Sequence, residues 1–169
     1  MILKTLAVAA LVLAVSACAG DDESASGGAA QAAADNNDRQ VATAPMAPKY
    51  APGSQDELNA TIGDRVFFDT DRYNLTPEAR ATIGSWADWM QTNGNVAISI
   101  EGHCDERGTR EYNLALGARR ANAIKDYLGA LGVSPSRIST VSFGKERPAV
   151  LGSNAEAWSQ NRRGSVVVQ

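Results

Sequence analysis

Residues 101–113, with the sequence EGHCDERGTREYN, bring together most of the side-chain types that carry chemistry in proteins. The stretch contains one His, one Cys, one Asp, two Arg and three Glu. Such a set could form a metal site, a nucleophilic pair or a surface that binds a charged ligand. Zinc sites need several His, Cys or carboxylate ligands at set spacings, whereas the whole chain has one His and two Cys. The composition argues against a metal site, and we expect neither a metal nor a cofactor.

His103 and Cys104 are the candidates for a nucleophilic pair. They are neighbours at the end of a predicted strand, where successive side chains leave on opposite faces. A Cys nucleophile needs a base within hydrogen-bond reach, and the chain has no second His. We therefore expect no catalytic residues here, and we interpret Cys104 as a small buried hydrophobic side chain.

Charged side chains on a loop and on the helix that follows it leave a third possibility. Asp105 lies in the predicted loop after the strand. One face of the helix carries residues that are three or four positions apart, namely Asn113, Leu116 and Arg120. If that face turns toward the loop, a carboxylate and a guanidinium lie on either side of a small gap. They could form a simple ion pair, or they could bind the ammonium and carboxylate groups of an amino-acid-like ligand.

The N-terminus has the pattern of a bacterial secretory signal. An apolar run from Leu6 to Val15 follows one positive charge, and about ten apolar residues are too few to span a bilayer. The sequence VSAC, which ends at Cys18, resembles the acylation motif of bacterial lipoproteins. We predict a lipoprotein signal peptide over residues 1–17 and a lipid anchor on Cys18. Ala19 after the Cys resembles the pattern of outer-membrane lipoproteins, with the folded domain in the periplasm.

Residues 18–56 are predicted to form a flexible tether behind the acylated N-terminus. They are rich in Ala, Gly, Ser, Asp, Asn, Gln and Pro and show no apolar period, so they cannot bury enough surface to offset the entropy of ordering. A flexible chain of this length averages about 35 Å end to end. The net charge of −3 lacks the basic excess that nucleic-acid binding requires, and we expect no nucleic-acid partner.

Residues 57–169 alternate between strand and helix patterns and are predicted to form one domain. One helix is predicted from Pro77, with Thr76 as its N-cap, and a longer one from Arg110 to about Leu131, ending at Gly132. The remaining elements are strands at RVFFDT (65–70), NVAISIE (95–101), RISTVSF (137–143) and GSVVVQ (164–169), and a short helix at NAEAWSQN (154–161). This order predicts an α+β domain in which helices pack on a sheet as an α/β sandwich.

Three segments carry a resemblance to a known family. EGHCDERGTREYNLALGARRANAIKDYL, RISTVSFGKERPAV and NRRGSVVV resemble the peptidoglycan-associated lipoprotein family, whose C-terminal part is an OmpA-like domain. The resemblance covers about residues 62–169. It implies a mixed four-stranded sheet with helices packed on it. It also implies non-covalent binding of peptidoglycan through meso-diaminopimelate in the stem peptide.

The resemblance also implies roles for individual residues. Asp105 would accept the side-chain ammonium of diaminopimelate, and Arg120 would pair with its carboxylate. The other implied site residues are the pocket-lining Asn113 and Leu116, the rim pair Phe68 and Asp69, and Arg163 as a further candidate on the carboxylate side.

A non-enzymatic tether between the outer membrane and the cell wall is the function that the resemblance implies. It further implies partnership with TolB and other Tol proteins, and a part in envelope integrity and cell division. Two other functions remain open. One is a peptidoglycan-cleaving enzyme that uses Glu101, Asp105 or Glu106 as acid and base. The other is a purely structural lipoprotein in which Asp105 and Arg120 form an internal bridge.

Overall fold

A mixed four-stranded sheet is the centre of the fold. The computed structural model describes residues 49–169, and its strands are β1 (Arg65–Phe67), β2 (Ile98–His103), β3 (Ile138–Gly144) and β4 (Arg163–Val168). They lie in the order β1-β4-β2-β3. Strand β4 is antiparallel to β1 and β2, whereas β2 and β3 are parallel. The predicted mixed sheet is confirmed.

Three helices connect these strands, and a further one precedes β1. They are α1 (Gln55–Thr61), α2 (Pro77–Thr92), α3 (Arg110–Ala130) and α4 (Ala155–Asn161), and a 3₁₀ turn (Pro135–Arg137) precedes β3. Thr76 is the N-cap of α2, as predicted, and its hydroxyl accepts a hydrogen bond from the Ala79 amide at 3.2 Å. Thr109 caps α3 in the same way. These caps satisfy amides that have no partner inside the helix.

The core lies between one face of the sheet and the helices. One face of α2 carries apolar residues at steps of four, three and four positions, and all of them are buried, namely Ala79, Ile83, Trp86 and Met90. It joins one cluster with alternating residues of the strands, such as Ile98, Ile100 and Val166, and with Ile124 and Leu128 of α3. Alternation along the strands therefore assigns residues to a helix-covered face and an opposite face.

Two glycines set the distance between α3 and the sheet. A Cβ on Gly117 of α3 would lie 2.8 Å from the carbonyl oxygen of Gly102 in β2. A Cβ on Gly102 would overlap the carbonyl of Gly117. Helix and strand are thus in backbone contact, which fixes where the side chains of α3 meet the loop after β2.

The first helix begins inside the segment that the sequence assigns to the tether. Gln55 is its first residue, and Ser54 is its N-cap, so regular structure starts before the predicted boundary at 57. Leu58 is fully buried, and the Gln55 side chain accepts a hydrogen bond from the Val168 amide at 2.8 Å. One buried apolar residue and side-chain hydrogen bonds to β4 and α2 hold this helix, so it leaves no periodic pattern in the sequence.

Several predictions concern residues outside the described part of the chain. The signal peptide over 1–17, the lipid anchor on Cys18 and the tether up to residue 48 lie there. Among the helices formed by residues 49–169, none is long and apolar enough to cross a membrane.

Candidate functional site

A cleft of about 240 Å³ opens where the loop after β2, the N-terminal half of α3 and the loop after β1 meet. Its walls are Thr70, Asp71, Cys104, Asp105, Arg107, Gly108, Tyr112, Asn113, Leu116, Arg120 and Arg162. Four of the seven residues predicted for ligand binding are among them: Asp105, Asn113, Leu116 and Arg120. Their roles in binding stay predictions.

Asp105 supplies a buried carboxylate to the cleft. It is 7% exposed and pairs with Arg107 at 2.6 Å and with Arg162 at 3.4 Å. Burial disfavours the charged form, but hydrogen bonds from Arg107 and Arg162 outweigh this effect and lower the pKa of Asp105 below its ordinary value. The carboxylate is therefore ionised at neutral pH and can accept hydrogen bonds from a cationic group.

Arg120 is buried at the base of the cleft, and its nitrogens donate to backbone carbonyls. Nε donates to Arg72 O at 2.8 Å, Nη1 to His103 O at 2.7 Å and Nη2 to Asp69 O at 3.0 Å. Burial lowers the pKa of this guanidinium, which nevertheless stays cationic at neutral pH because the ordinary value is so high. No carboxylate of residues 49–169 forms an ion pair with it. Buried charges in proteins are normally paired, so Arg120 lacks the carboxylate partner that is usual for a buried cation.

Asp105 and Arg120 thus share the cleft without neutralising one another. The walls carry three arginines, at 107, 120 and 162, against two aspartates, at 71 and 105. The local charge is therefore +1, the difference between these counts. A ligand with a carboxylate near Arg120 and an ammonium near Asp105 would match this separation of charge.

Asn113 and Leu116 shape the cleft in different ways. The Asn113 amide nitrogen donates to Arg107 O at 2.7 Å and to Thr109 O at 3.1 Å, so this side chain holds the loop that carries Asp105. Gly108 in that loop has a φ of 88°, a conformation that glycine adopts without strain. Leu116 is 6% exposed and supplies an apolar wall.

Three predicted site residues do not line this cleft. Phe68 is buried in the core, and its ring lies beneath the Arg120 guanidinium, 5.1 Å from ring centroid to Cζ. Asp69 contributes its backbone carbonyl to Arg120, and its side chain is outside the cleft. Arg163 lines a separate cavity on the other side of the sheet, together with Glu101 and Ser165.

Arg162 occupies the position in the cleft that the sequence interpretation considered for Arg163. Its Nε donates to Phe68 O at 3.0 Å, and its Nη1 contacts Asp105. Arg162 lies two and four positions before Gly164 and Val166, which face the helices. Because side chains alternate along a strand, this spacing predicts that the first arginine of the pair, and not the second, lies on the side of the helices and the cleft.

The sequence interpretation also missed residues at the rim. Arg107 is exposed, pairs with Asp105 and stacks on Trp158 at 4.3 Å from the ring centroid. Asp71, which has a φ of 59°, accepts a hydrogen bond from the Tyr112 hydroxyl. This contact links the loop after β1 to α3 across the cleft. The Arg107–Trp158 and Asp71–Tyr112 contacts join segments that are distant in sequence, which local spacing does not reveal.

His103 and Cys104 point in different directions, as predicted. Cys104 is buried, and its thiol donates to Asn113 O at 3.4 Å. His103 lies on the other face of the sheet, where its ring stacks on Phe143 and its Nε2 is 3.4 Å from a Glu101 oxygen. Burial and the nearby cations of Arg163 and Arg147 lower the pKa of His103 to about 4. Within residues 49–169, no three His, Cys, Asp or Glu side chains are grouped as metal ligands.

Comparison with known proteins relates this fold to one family. The model of the OmpA family matches residues 67–162. A peptidoglycan-associated lipoprotein of Agrobacterium fabrum is 50% identical over 122 residues, which cover 72% of this chain and 69% of the relative. A protein of the same name from Brucella melitensis is 47% identical over 117 residues, covering 69% of this chain and 70% of the relative.

Solved structures agree with this relationship. The crystal structure of the peptidoglycan-associated lipoprotein from Burkholderia pseudomallei is 42% identical and has a TM-score of 0.61, covering 63% of this chain and 90% of that one. The C-terminal domain of Helicobacter pylori MotB has a TM-score of 0.59 at 22% identity, covering 63% of this chain and 84% of that one. The second likeness concerns the fold alone.

Proposed function

The chain belongs to the OmpA family, and from this membership we propose that it binds peptidoglycan non-covalently and tethers the outer membrane to the cell wall. The ligand group is meso-diaminopimelate of the stem peptide. The observation that carries the proposal is Arg120, a buried guanidinium without a carboxylate partner among the described residues, in one cleft with the ionised Asp105.

In the proposed complex, each of these two charged side chains binds a ligand group of opposite charge. Asp105 accepts hydrogen bonds from the ligand ammonium, and Arg120 donates to the ligand carboxylate. Three of the five N–H groups of Arg120 donate to carbonyls, and a fourth is directed at Cys104 Sγ, 3.5 Å from Nη1. The second N–H group of Nη2, and the N–H group of Nη1 that faces the sulfur, therefore remain to donate to a ligand oxygen. Charge-assisted hydrogen bonds contribute about 1.5 to 3 kcal/mol each, which favours a reversible complex.

Attachment to the membrane would allow the domain to stay bound to the cell wall even with a modest affinity for peptidoglycan. The proposed acyl chains on Cys18 and the tether after it keep the domain at a high effective concentration near the wall. Partnership with TolB and other Tol proteins, and a role in envelope integrity and cell division, belong to the same proposal. Their support is the likeness to proteins named peptidoglycan-associated lipoprotein.

The site favours binding over cleavage. Hydrolysis by acid and base needs two carboxyl groups beside the same bond. Glu101 faces the opposite side of the sheet with His103, and Asp105 is held ionised by two arginines. Glu106 accepts a hydrogen bond from Trp158 at 3.0 Å and does not line the cleft. The purely structural alternative needs an Asp105–Arg120 ion pair, whereas Asp105 pairs with Arg107 and Arg162.

Co-sedimentation of the full chain with purified sacculi tests the proposal. We expect the protein to sediment with sacculi and to be released by free meso-diaminopimelate, with no soluble wall fragments formed. Release of fragments over time would support an enzyme instead. Sedimentation that diaminopimelate does not reduce would contradict the assigned ligand.

A further inference from the structure

A second concave surface lies between α2 and α3. We name it the α2–α3 groove; it has a volume of about 590 Å³, and its lining includes Tyr73, Asn74, Arg80, Ala123, Asp126 and Tyr127. None of these residues lines the cleft that contains Asp105 and Arg120.

The groove continues the cleft along the same two walls. On the loop after β1, Thr70 and Asp71 line the cleft, whereas Tyr73 and Asn74 line the groove. Arg72 lies between these pairs, and its carbonyl oxygen accepts a hydrogen bond from Arg120 Nε. On α3, the cleft residues Leu116 and Arg120 and the groove residues Ala123 and Tyr127 are spaced by four, three and four, which is one helical face. The cleft and the groove are therefore neighbours on one face of α3.

The groove combines aromatic and polar side chains. Tyr73 is 45% exposed and offers a flat apolar ring with a polar end. The side chains of Asn74, Arg80 and Asp126 form no hydrogen bond or ion pair within residues 49–169. An aromatic ring can pack on the C–H groups of a sugar. Amide, guanidinium and carboxylate side chains beside it can form hydrogen bonds with the hydroxyl and acetamido groups of that sugar, so this lining suits a saccharide.

We propose that the α2–α3 groove binds an N-acetylated amino sugar of the glycan strand whose stem peptide occupies the cleft. This inference rests on the proposed function. Arg120 and Tyr127 are seven residues apart on one helix, a rise of about 10 Å, and three extended peptide residues cover this distance. The stem peptide and its sugar can therefore occupy both surfaces at once. Binding of the sugar then becomes intramolecular once the peptide is bound.

Calorimetric titration of the full chain with three ligands tests the inference. The ligands are free meso-diaminopimelate, the stem tripeptide that contains it, and the same tripeptide on its disaccharide. We expect the disaccharide-tripeptide to bind about threefold to tenfold more tightly than the tripeptide. Tyr73→Ala and Asp126→Asn should reduce this advantage while leaving the affinity for the tripeptide and for diaminopimelate unchanged. Tyr50→Ala, which replaces a tyrosine outside both surfaces, should change nothing.

The outcomes separate this inference from the function on which it rests. Equal affinity of the wild type for the two peptide ligands overturns the sugar site and leaves the peptide site intact. The sugar site is also overturned if the Tyr73→Ala and Asp126→Asn variants both prefer the disaccharide-tripeptide over the tripeptide by the same factor as the wild type. If the wild type binds none of the three ligands, the proposed function itself is wrong.

Discussion

Asp105 and Arg120 line one cleft, yet each has other partners. Asp105 pairs with Arg107 and Arg162, whereas Arg120 donates to the backbone carbonyls of Asp69, Arg72 and His103. An internal ion pair would have cancelled both charges. Instead the end of β2 and the loop after β1 hold the guanidinium by uncharged carbonyl groups, and its positive charge has no carboxylate partner among residues 49–169. The proposed recognition of diaminopimelate depends on this arrangement.

Removing the charge of Asp105 should abolish most of the binding without unfolding the domain. Asp105→Asn keeps the size of the side chain and removes the anion that the ligand ammonium would contact. Loss of one charge-assisted hydrogen bond corresponds to about a tenfold to hundredfold lower affinity. Calorimetric titration with meso-diaminopimelate measures this change. Asp88→Asn, on the exposed side of α2, is the matched control, and an equal loss in both variants would count against a specific role for Asp105.

The two adjacent arginines at the start of β4 should behave differently. Arg162→Gln removes a cleft residue that contacts Asp105 at 3.4 Å, so we expect about a tenfold loss of affinity for diaminopimelate. Arg163→Gln changes a residue on the opposite side of the sheet and should leave that affinity within about twofold of the wild type. The opposite ranking of the two variants would mean that the ligand binds on the other face.

The contact between Gly102 and Gly117 should tolerate no side chain. Gly102→Ala places a methyl group against the carbonyl of Gly117, and we expect the free energy of unfolding to fall by about 3 kcal/mol or more. Gly129→Ala is the matched control on α3, because a Cβ there meets no atom within 4 Å. That variant should raise the free energy of unfolding by about 0.5 to 1 kcal/mol. Urea denaturation measures both, and similar values for the two variants would refute the close approach.

His103 should make the domain less stable in mild acid. Its pKa is about 4 in the folded protein against an ordinary value of 6.5. As the pH falls from 6.5 to 4, the unfolded chain binds a proton that the folded domain does not bind. The free energy of unfolding therefore decreases over this window, by on the order of 3 kcal/mol.

His103→Phe keeps a ring that can stack on Phe143 and removes the titratable group. Urea denaturation at several pH values should give a flatter dependence for this variant than for the wild type between pH 6.5 and 4. Parallel curves for the two proteins would show that His103 is not the cause.

Local patterns in the sequence predicted most of the fold. The N-cap Thr76 and the stripe of α2, the alternation in β2 and the length of α3 are set by neighbours in the chain, and the structure agrees with each. Helix α1 has one buried apolar residue, Leu58, and its other contacts come from β4 and α2. Contacts of this kind leave no periodic pattern of apolar residues in the sequence of the helix.

The site was predictable to the extent that it follows from these elements. A loop after β2 and one face of α3 place Asp105, Asn113, Leu116 and Arg120 in the cleft. The side of the sheet on which Arg162 lies follows from the alternation along β4, but its contact with Asp105 depends on β4 lying next to β2. The stacking of Arg107 on Trp158 depends on α4 lying beside the loop after β2. The backbone carbonyls that hold Arg120 carry no sequence signature, since every residue has one.

Titration of the full chain with meso-diaminopimelate and with lysine tests the central claim most directly. Lysine carries the same ammonium groups but lacks the second carboxylate, which is the group assigned to Arg120. We predict that diaminopimelate binds measurably and that lysine binds at least about tenfold more weakly, since one charge-assisted contact is missing. Equal affinity for the two amino acids, or no binding of diaminopimelate, would contradict a cleft in which Asp105 binds the side-chain ammonium of the ligand and Arg120 binds the carboxylate on the same carbon.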